Sequence, residues 1–175
     1  MKQINKYICE RLHINKDTGN HHYNYHPKTR IELKELLDTL IDKRGNEANL
    51  NDIDTSEITD MTALFYNSKF NGDISNWDVS KVEDMKYMFA YSEFNGDIAK
   101  WDVSKVEDIE AMFYNSKFTG NISNWDVSNV KYMGYMFAYS KFTGDISEWD
   151  VSNVKNMDEM FLGSPLQKNP PKWYK

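Results

Sequence analysis

The side chains best able to do chemistry stand at fixed intervals. Asp54, Asp78, Asp102, Asp126 and Asp150 recur every 24 residues. Such a carboxylate column invites a row of calcium sites, because hard cations take oxygen ligands. Side by side at about 4.8 Å, neighbouring charges would repel by about 0.9 kcal/mol in water, so something must compensate. A local answer lies two residues on, where Ser80 and its counterparts offer backbone N–H groups in a turn that an aspartate side chain can accept. The glycine-rich nonapeptide that builds calcium sites in repeat proteins is absent. The structural role is favoured, and calcium is left undecided. His13, His21, His22 and His26 flank a turn signal at Lys16-Asp-Thr-Gly-Asn20. A metal site needs imidazoles converging from suitable positions. His22 and His26 would share a strand face, but His21 would not, and all read as exposed polar residues beside a turn.

No phosphate loop or nucleophile elbow occurs, and no carboxylates pair outside the repeating column. A periodic column is a poor acid–base pair, which needs two groups in unlike environments. The expectation is a protein with no catalytic residue, no cofactor and no resident metal. Binding chemistry is better represented. Tyr66, Tyr91, Tyr114 and Tyr139 alternate between two adjacent slots, since the repeats read Phe-Tyr-Asn-Ser-Lys-Phe and Phe-Ala-Tyr-Ser-(Glu/Lys)-Phe in turn. Tyr87, Tyr132 and Tyr135 fall nearby. Tyrosine supplies amphipathic contact area at low entropic cost and is enriched at interfaces. These rings also suit packing over the edges of a stack. A second candidate surface is the slot before each tryptophan, which reads Asn76, Lys100, Asn124 and Glu148 while the apolar columns stay constant. Positions released from packing can be tuned to a partner, and drift on a solvated face looks the same.

What positions these residues is the repeat itself. Trp77, Trp101, Trp125, Trp149 and Trp173 share one register and are all the tryptophans of the chain. Phe65, Phe89, Phe113, Phe137 and Phe161 form a second column, and Phe70, Phe94, Phe118 and Phe142 a third; together they use all nine phenylalanines. A period in this range marks stacked units that bury their apolar faces against their neighbours. Ile74-x-x-Trp77-x-Val79-x-x-Val82 has the spacing of a leucine-rich-repeat strand. Ser80-Lys-Val-Glu83 has the capping-box pattern, with Val82, Met85, Met88 and Phe89 on one helical face behind it. Asn71-Gly72 and its counterparts at Gly96, Gly120 and Gly144 suit a left-handed return turn. Each unit is therefore expected to be strand, helical turn and glycine turn, with strands forming a parallel ladder.

Ahead of the array, Thr29-Arg-Ile-Glu32 opens an amphipathic stripe of Ile31, Leu33, Leu36, Leu37, Leu40 and Ile41 that stops at Gly45. This predicts a helix over about 30–44. The expected organisation is an N-terminal cap at 1–48 (hairpin about 4–26, then the helix), an array at 49–163, and a C-terminal cap at 164–175. The expected fold is an α/β repeat solenoid: a short right-handed leucine-rich-repeat stack with a parallel strand ladder and helical turns, capped by a β-hairpin and an α-helix.

The string Met-Phe…Phe-Asn-Gly-Asp-Ile-Ser-x-Trp-Asp-Val-Ser-x-Val-x-x-Met over about 49–175 resembles the BspA-like leucine-rich repeats of bacterial surface proteins. That resemblance implies a curved stack that binds other proteins or host surface components, and it implies surface display or secretion; the partner expected is another protein, a host surface component or a bacterial self protein. The start of the chain has no apolar run of a signal peptide and no anchor is visible, so the residues themselves leave localisation open and are compatible with the cytoplasm. The net charge of −6 argues against nucleic-acid or anionic-membrane binding, which would call for a basic face. No stretch approaches a membrane span, and Cys9, the single cysteine, permits no internal disulfide. The leading expectation is a monomeric, non-enzymatic protein–protein interaction module of the surface or adhesion type. A cytosolic inhibitor, immunity or regulatory protein using the same face is the alternative, and a metal-dependent structural protein built on the aspartate column is a third.

Overall fold

The computed structural model describes residues 23–175. Helix α1 spans Arg30–Arg44. Its N-cap is Thr29, whose Oγ1 accepts from the Glu32 N–H at 3.2 Å, while Glu32 Oε2 accepts from the Lys28 N–H at 2.8 Å. Gly45 ends it with φ +89°, donating its N–H to the Ile41 carbonyl. Leu33, Leu36, Leu37 and Leu40 are buried in the common core, whereas Ile31 is 65% exposed and lies outside the apolar stripe. Arg30 ties the helix to the array by donating to the Thr62 carbonyl at 3.1 Å, and Arg44 holds Asp52 with two hydrogen bonds of 2.9 Å. The helix thus covers the end layer, which would otherwise expose apolar surface.

Behind it, successive 24-residue layers stack in register. The expected strand ladder does not form: among the described residues there is one α-helix and no strand, and parallel pairing is confined to isolated bridges such as Asp60↔Asp84, Asp84↔Asp108 and Asp108↔Tyr132. The chain is therefore not an α/β solenoid with a parallel strand ladder. Nor does Ser80-Lys-Val-Glu83 start a helix, and Val82–Phe89 runs through turns. Most of the expected hairpin, including His13, His21 and His22, lies outside the described residues. The segment that is described runs alongside the first layer, with Tyr25 bridged in parallel to Ile53.

The reason is the density of side chains that compete with a ladder. Asp73 Oδ1 accepts from the Ser75 N–H, Asp78 Oδ1 from Ser80 and Asp84 Oδ1 from Lys86, all at 2.8–3.0 Å. Ser92 Oγ accepts from Phe94 at 3.4 Å. Each of these bonds closes a turn over two residues and removes an extended conformation from the local menu. The alternation of buried Trp77 and Val79 around half-exposed Asp78 is thus made by consecutive turns.

Layers are joined at a different place, the segment 61–67 and its equivalents. Met61, Ala63, Phe65 and Asn67 donate their N–H groups to carbonyls of Asp84, Lys86, Met88 and Ala90 in the next layer at 2.8–2.9 Å. Leu64, Tyr66 and Ser68 donate instead to residues three back in their own layer. This division requires left-handed residues, and they are not glycines. Ala63, Asn67, Tyr87, Tyr91, Ala111, Asn115, Tyr135, Tyr139 and Glu159 have φ between 47° and 59°. A left-handed L-residue costs about 1–2 kcal/mol, and from Ala63 to Tyr139 each of these residues donates an inter-layer hydrogen bond. The glycines expected to be left-handed, Gly72, Gly96, Gly120 and Gly144, have ordinary φ; they are small because the chain passes close to its neighbours there, such as the Phe94 ring 2.8 Å from where a Gly96 Cβ would lie.

The interior is aromatic. All nine phenylalanines are fully buried, and Phe89, Phe113 and Phe137 stack with centroids 5.7 and 5.8 Å apart. Each indole N–H donates to the carbonyl of an isoleucine or leucine one layer earlier: Trp77 to Leu50, Trp101 to Ile74, Trp125 to Ile98, Trp149 to Ile122 and Trp173 to Ile146, at 2.9–3.3 Å. A column that buries apolar area and satisfies its own polar atom explains why tryptophan holds this position. At the far end a 3₁₀ turn, Pro165–Lys168, leads to Trp173 and Tyr174, and Tyr174 packs edge-on against Phe161 at 4.9 Å.

Candidate tyrosine-lined binding face

The aspartate column resolves into local structure. Asp54, Asp78, Asp102, Asp126 and Asp150 each accept the N–H of the serine two residues on, at 3.0–3.1 Å. Among the described residues no group of acidic, histidine or cysteine side chains is arranged to hold a metal ion. Ser104 hydroxyl and backbone bonds hold the Asp102 carboxyl below the usual value near 3.8. Burial raises the Asp54 carboxyl, and bonds from Ser56 and from His26, at 3.0 Å, outweigh that to leave it lowered.

Asp108, in a different column, behaves oppositely. Asp108 is raised, because burial dominates over the N–H bond it accepts from Glu110, and Asp84 one layer away adds like charge. A raised folded value means that the protonated form suits the fold: this stability is fully present below about 3.8 and is lost as pH rises through the folded value. Asp108→Asn keeps the turn, since Asn156 in the same column accepts the Asp158 N–H at 3.0 Å. We expect this variant to be slightly more stable than the parent at pH 7, by an amount reduced by solvent screening, with the gain vanishing below about pH 3.8. Melting curves at pH 7 and pH 3.5 check it.

The tyrosines gather where the layers are joined. Tyr66, Tyr91, Tyr114 and Tyr139 form a continuous strip with centroids 5.6, 5.2 and 5.7 Å apart, in edge-on or tilted contacts. Tyr66, Tyr91 and Tyr139 are 51%, 43% and 48% exposed. Their zigzag follows from the sequence: Tyr91 and Tyr139 stand at a left-handed position, and Tyr66 and Tyr114 at the position before it, where φ is not positive. Beside the strip, Tyr87 and Tyr135 border a hollow of about 570 Å³ whose walls include Tyr66, Tyr91 and Tyr114 and whose floor is Ala63 and Ala111. The sequence places Tyr87 and Tyr135 near the strip but gives no reason to count them among its members. The signal for them is a 48-residue alternation, Ala63, Tyr87, Ala111, Tyr135, at one left-handed column.

Acidic groups edge this hollow. The Tyr87 hydroxyl lies 3.4 Å from Glu110 Oε1, and Lys86 bridges to the same carboxylate at 2.9 Å while its ammonium sits 5.4 Å from the centre of the Tyr87 ring. The charge of Glu159, followed by slight burial and a hydrogen bond to Glu159, raises the Tyr135 phenol. Asn76, Lys100, Asn124 and Glu148 are exposed, each beside its buried tryptophan, and do not line the hollow. The tyrosines are thus brought together and the variable slot forms a separate strip.

The family described as Mycoplasma protein of unknown function, DUF285, matches residues 34–138 and 93–174. The chain belongs to this family. The DUF285 matches take in the whole tyrosine strip and every layer of the array. No curated protein matches the chain, and no solved structure does. No helix among the described residues is long and apolar enough to cross a membrane.

Proposed function

We propose that this DUF285 chain is a non-enzymatic protein-binding module whose partner docks on the tyrosine strip. The observation that carries the reading is the continuous row Tyr66–Tyr91–Tyr114–Tyr139 beside an open, ring-lined hollow. Tyr66, Tyr91 and Tyr139 of this row stay more than two-fifths exposed in a protein that buries every phenylalanine, so they serve something other than its own core. Tyrosine at an interface gives area and a hydrogen-bonding tip with two rotatable bonds to freeze. The resemblance of the repeat string to BspA-like proteins directs this module toward bacterial surface attachment, with a host surface component as partner. A cytosolic inhibitor or regulatory protein would use the same strip on a self protein.

The test is capture of partners by the purified protein from host extracellular extract and from bacterial lysate. Tyr91→Asn/Tyr139→Asn is the informative variant, because Asn67 and Asn115 already occupy that left-handed column and the fold should survive. We expect it to weaken capture at least tenfold, the scale of a central interface residue worth about 1.4 kcal/mol or more. An Asn76/Lys100/Asn124 triple alanine variant should capture as the parent does. If the triple variant alone loses the partner, the docking face is the slot before the tryptophans and the proposal fails.

A further inference from the structure

The left-handed column that floors the hollow carries Ala63, Tyr87, Ala111, Tyr135 and Glu159, all with φ between 50° and 56°. One backbone geometry therefore accepts alanine and tyrosine alike, and packing of the main chain does not dictate the alternation. Its effect is a vacancy. Tyr87 and Tyr135 stand two layers apart, about 10 Å by the spacing of hydrogen-bonded parallel chains. Between them lies Ala111, 2% exposed, with no side chain beyond Cβ. The hollow that both rings and Ala111 line, about 570 Å³, admits the head of a side chain.

The surroundings define the charge of that head. Glu110 precedes Ala111 and meets the Tyr87 hydroxyl. Asp158 and Glu159 are exposed one layer past Gly134 and Tyr135, and the Tyr135 phenol is raised by Glu159 first, with Asp158 and Glu110 adding to it. Lys86 offsets one of these charges through its bridge to Glu110. It also shows how a cation uses this surface, since its ammonium lies over the Tyr87 ring. Aromatic faces with nearby carboxylates attract a cation, most strongly where water is displaced. A flat guanidinium can stack on rings and donate to carboxylates at its edge in one pose, which an ammonium cannot.

We propose that the slot over Ala111, between Tyr87 and Tyr135, receives an arginine side chain from a basic segment of the partner protein. This rests on the protein-binding reading above. The tyrosine strip continues from the slot and gives the rest of the segment a surface to lie on, which a small free cation would not need.

The experiment uses fluorescence anisotropy with a labelled twelve-residue peptide of repeating Arg-Gly-Ser, a second with citrulline for arginine, and a third with lysine. Ala111→Tyr fills the slot with a ring that the column already carries in adjacent layers, so melting and circular dichroism should match the parent. Tyr87→Ala/Tyr135→Ala opens the slot by the opposite change. The arginine peptide should bind at least tenfold tighter than the citrulline peptide and severalfold tighter than the lysine peptide, and either variant should weaken it at least tenfold. Equal binding of the arginine and citrulline peptides would overturn the proposal. So would unchanged affinity in both variants, which would leave only general attraction to a negatively charged protein. If the arginine peptide does not bind and Tyr91→Asn/Tyr139→Asn still strips the partner in the capture assay, the slot assignment falls and the docking face stands. If neither effect is seen, both fall.

Discussion

Phe113→Ala should lower the melting temperature by about 6–20 °C. The ring is fully buried and sits at the centre of the aromatic interior, stacked on Phe118 at 4.3 Å, on Phe89 and Phe137 at 5.7 and 5.8 Å, and tilted against Trp125 at 6.4 Å. Truncating a buried phenylalanine costs about 3–5 kcal/mol, the lost transfer energy plus the cavity left behind. Collapse of the site is opposed on both sides, because Phe113 N–H donates to Met136 and Met88 lies in the layer whose Phe89 N–H donates to Met112. At 2–4 °C per kcal/mol for a chain of this size, the shift falls between about 6 and 20 °C. In a stack where each layer touches only its neighbours, stability is a sum of layer and interface terms. A central loss therefore weakens two interfaces, and Phe161→Ala at the end should cost less than Phe113→Ala. Thermal denaturation of the two variants side by side gives the comparison, and an equal or larger loss at Phe161 would contradict the layered account.

How much of this was legible beforehand depends on which property a residue's type reports. Burial was legible, since the phenylalanine and tryptophan columns are the core, and so was helix α1, whose two ends Thr29, Glu32 and Gly45 mark. The backbone path between core positions was not. An i, i+2 alternation such as Trp77–Val79 reports which way side chains point, and a series of aspartate- and serine-closed turns satisfies it as well as a strand does. Asp73, Asp78 and Asp84, each two residues ahead of the N–H it accepts, were visible in the sequence as a competing signal. Left-handed backbone was sought at glycine, where it is cheapest, and occurs at Ala63, Tyr87 and Tyr91 because there it aims N–H groups along the stack. The tyrosine strip was legible as a set of residues. The slot was not, because the rings that border it differ from their neighbours only at every second layer, and the floor is an alanine, a residue type that attracts no notice.

Gly72→Ala follows from the same correction and should be severe where a left-handed turn would have predicted only a moderate cost. Its φ is ordinary, so alanine is not excluded by conformation. It is excluded by space: a Cβ at Gly72 would overlap the Ala48 carbonyl oxygen and lie 2.8 Å from the Ala48 nitrogen and 2.7 Å from the Phe70 ring. The two Ala48 obstacles are backbone. Asp73 N–H donates to the same Ala48 carbonyl at 3.0 Å, and Leu50 N–H to the Asp73 carbonyl at 2.9 Å, so relieving the overlap pulls apart the contact between the cap and the first full layers. Forcing extra volume into a packed site costs about 1–3 kcal/mol and more when the backbone must move; with the two hydrogen bonds also weakened we expect about 3 kcal/mol or more. Gly120 offers the control. A Cβ there comes no closer than 3.6 Å to the Gly96 carbonyl, and its near contact is the Phe118 ring at 2.8 Å, which can tilt by a few tenths of an ångström at lower cost. Gly72→Ala should therefore melt below Gly120→Ala by several degrees. It should also speed proteolysis near the junction of cap and array, since breaking the Ala48–Asp73 link uncouples the end that α1 covers while the layers beyond it keep their own contacts.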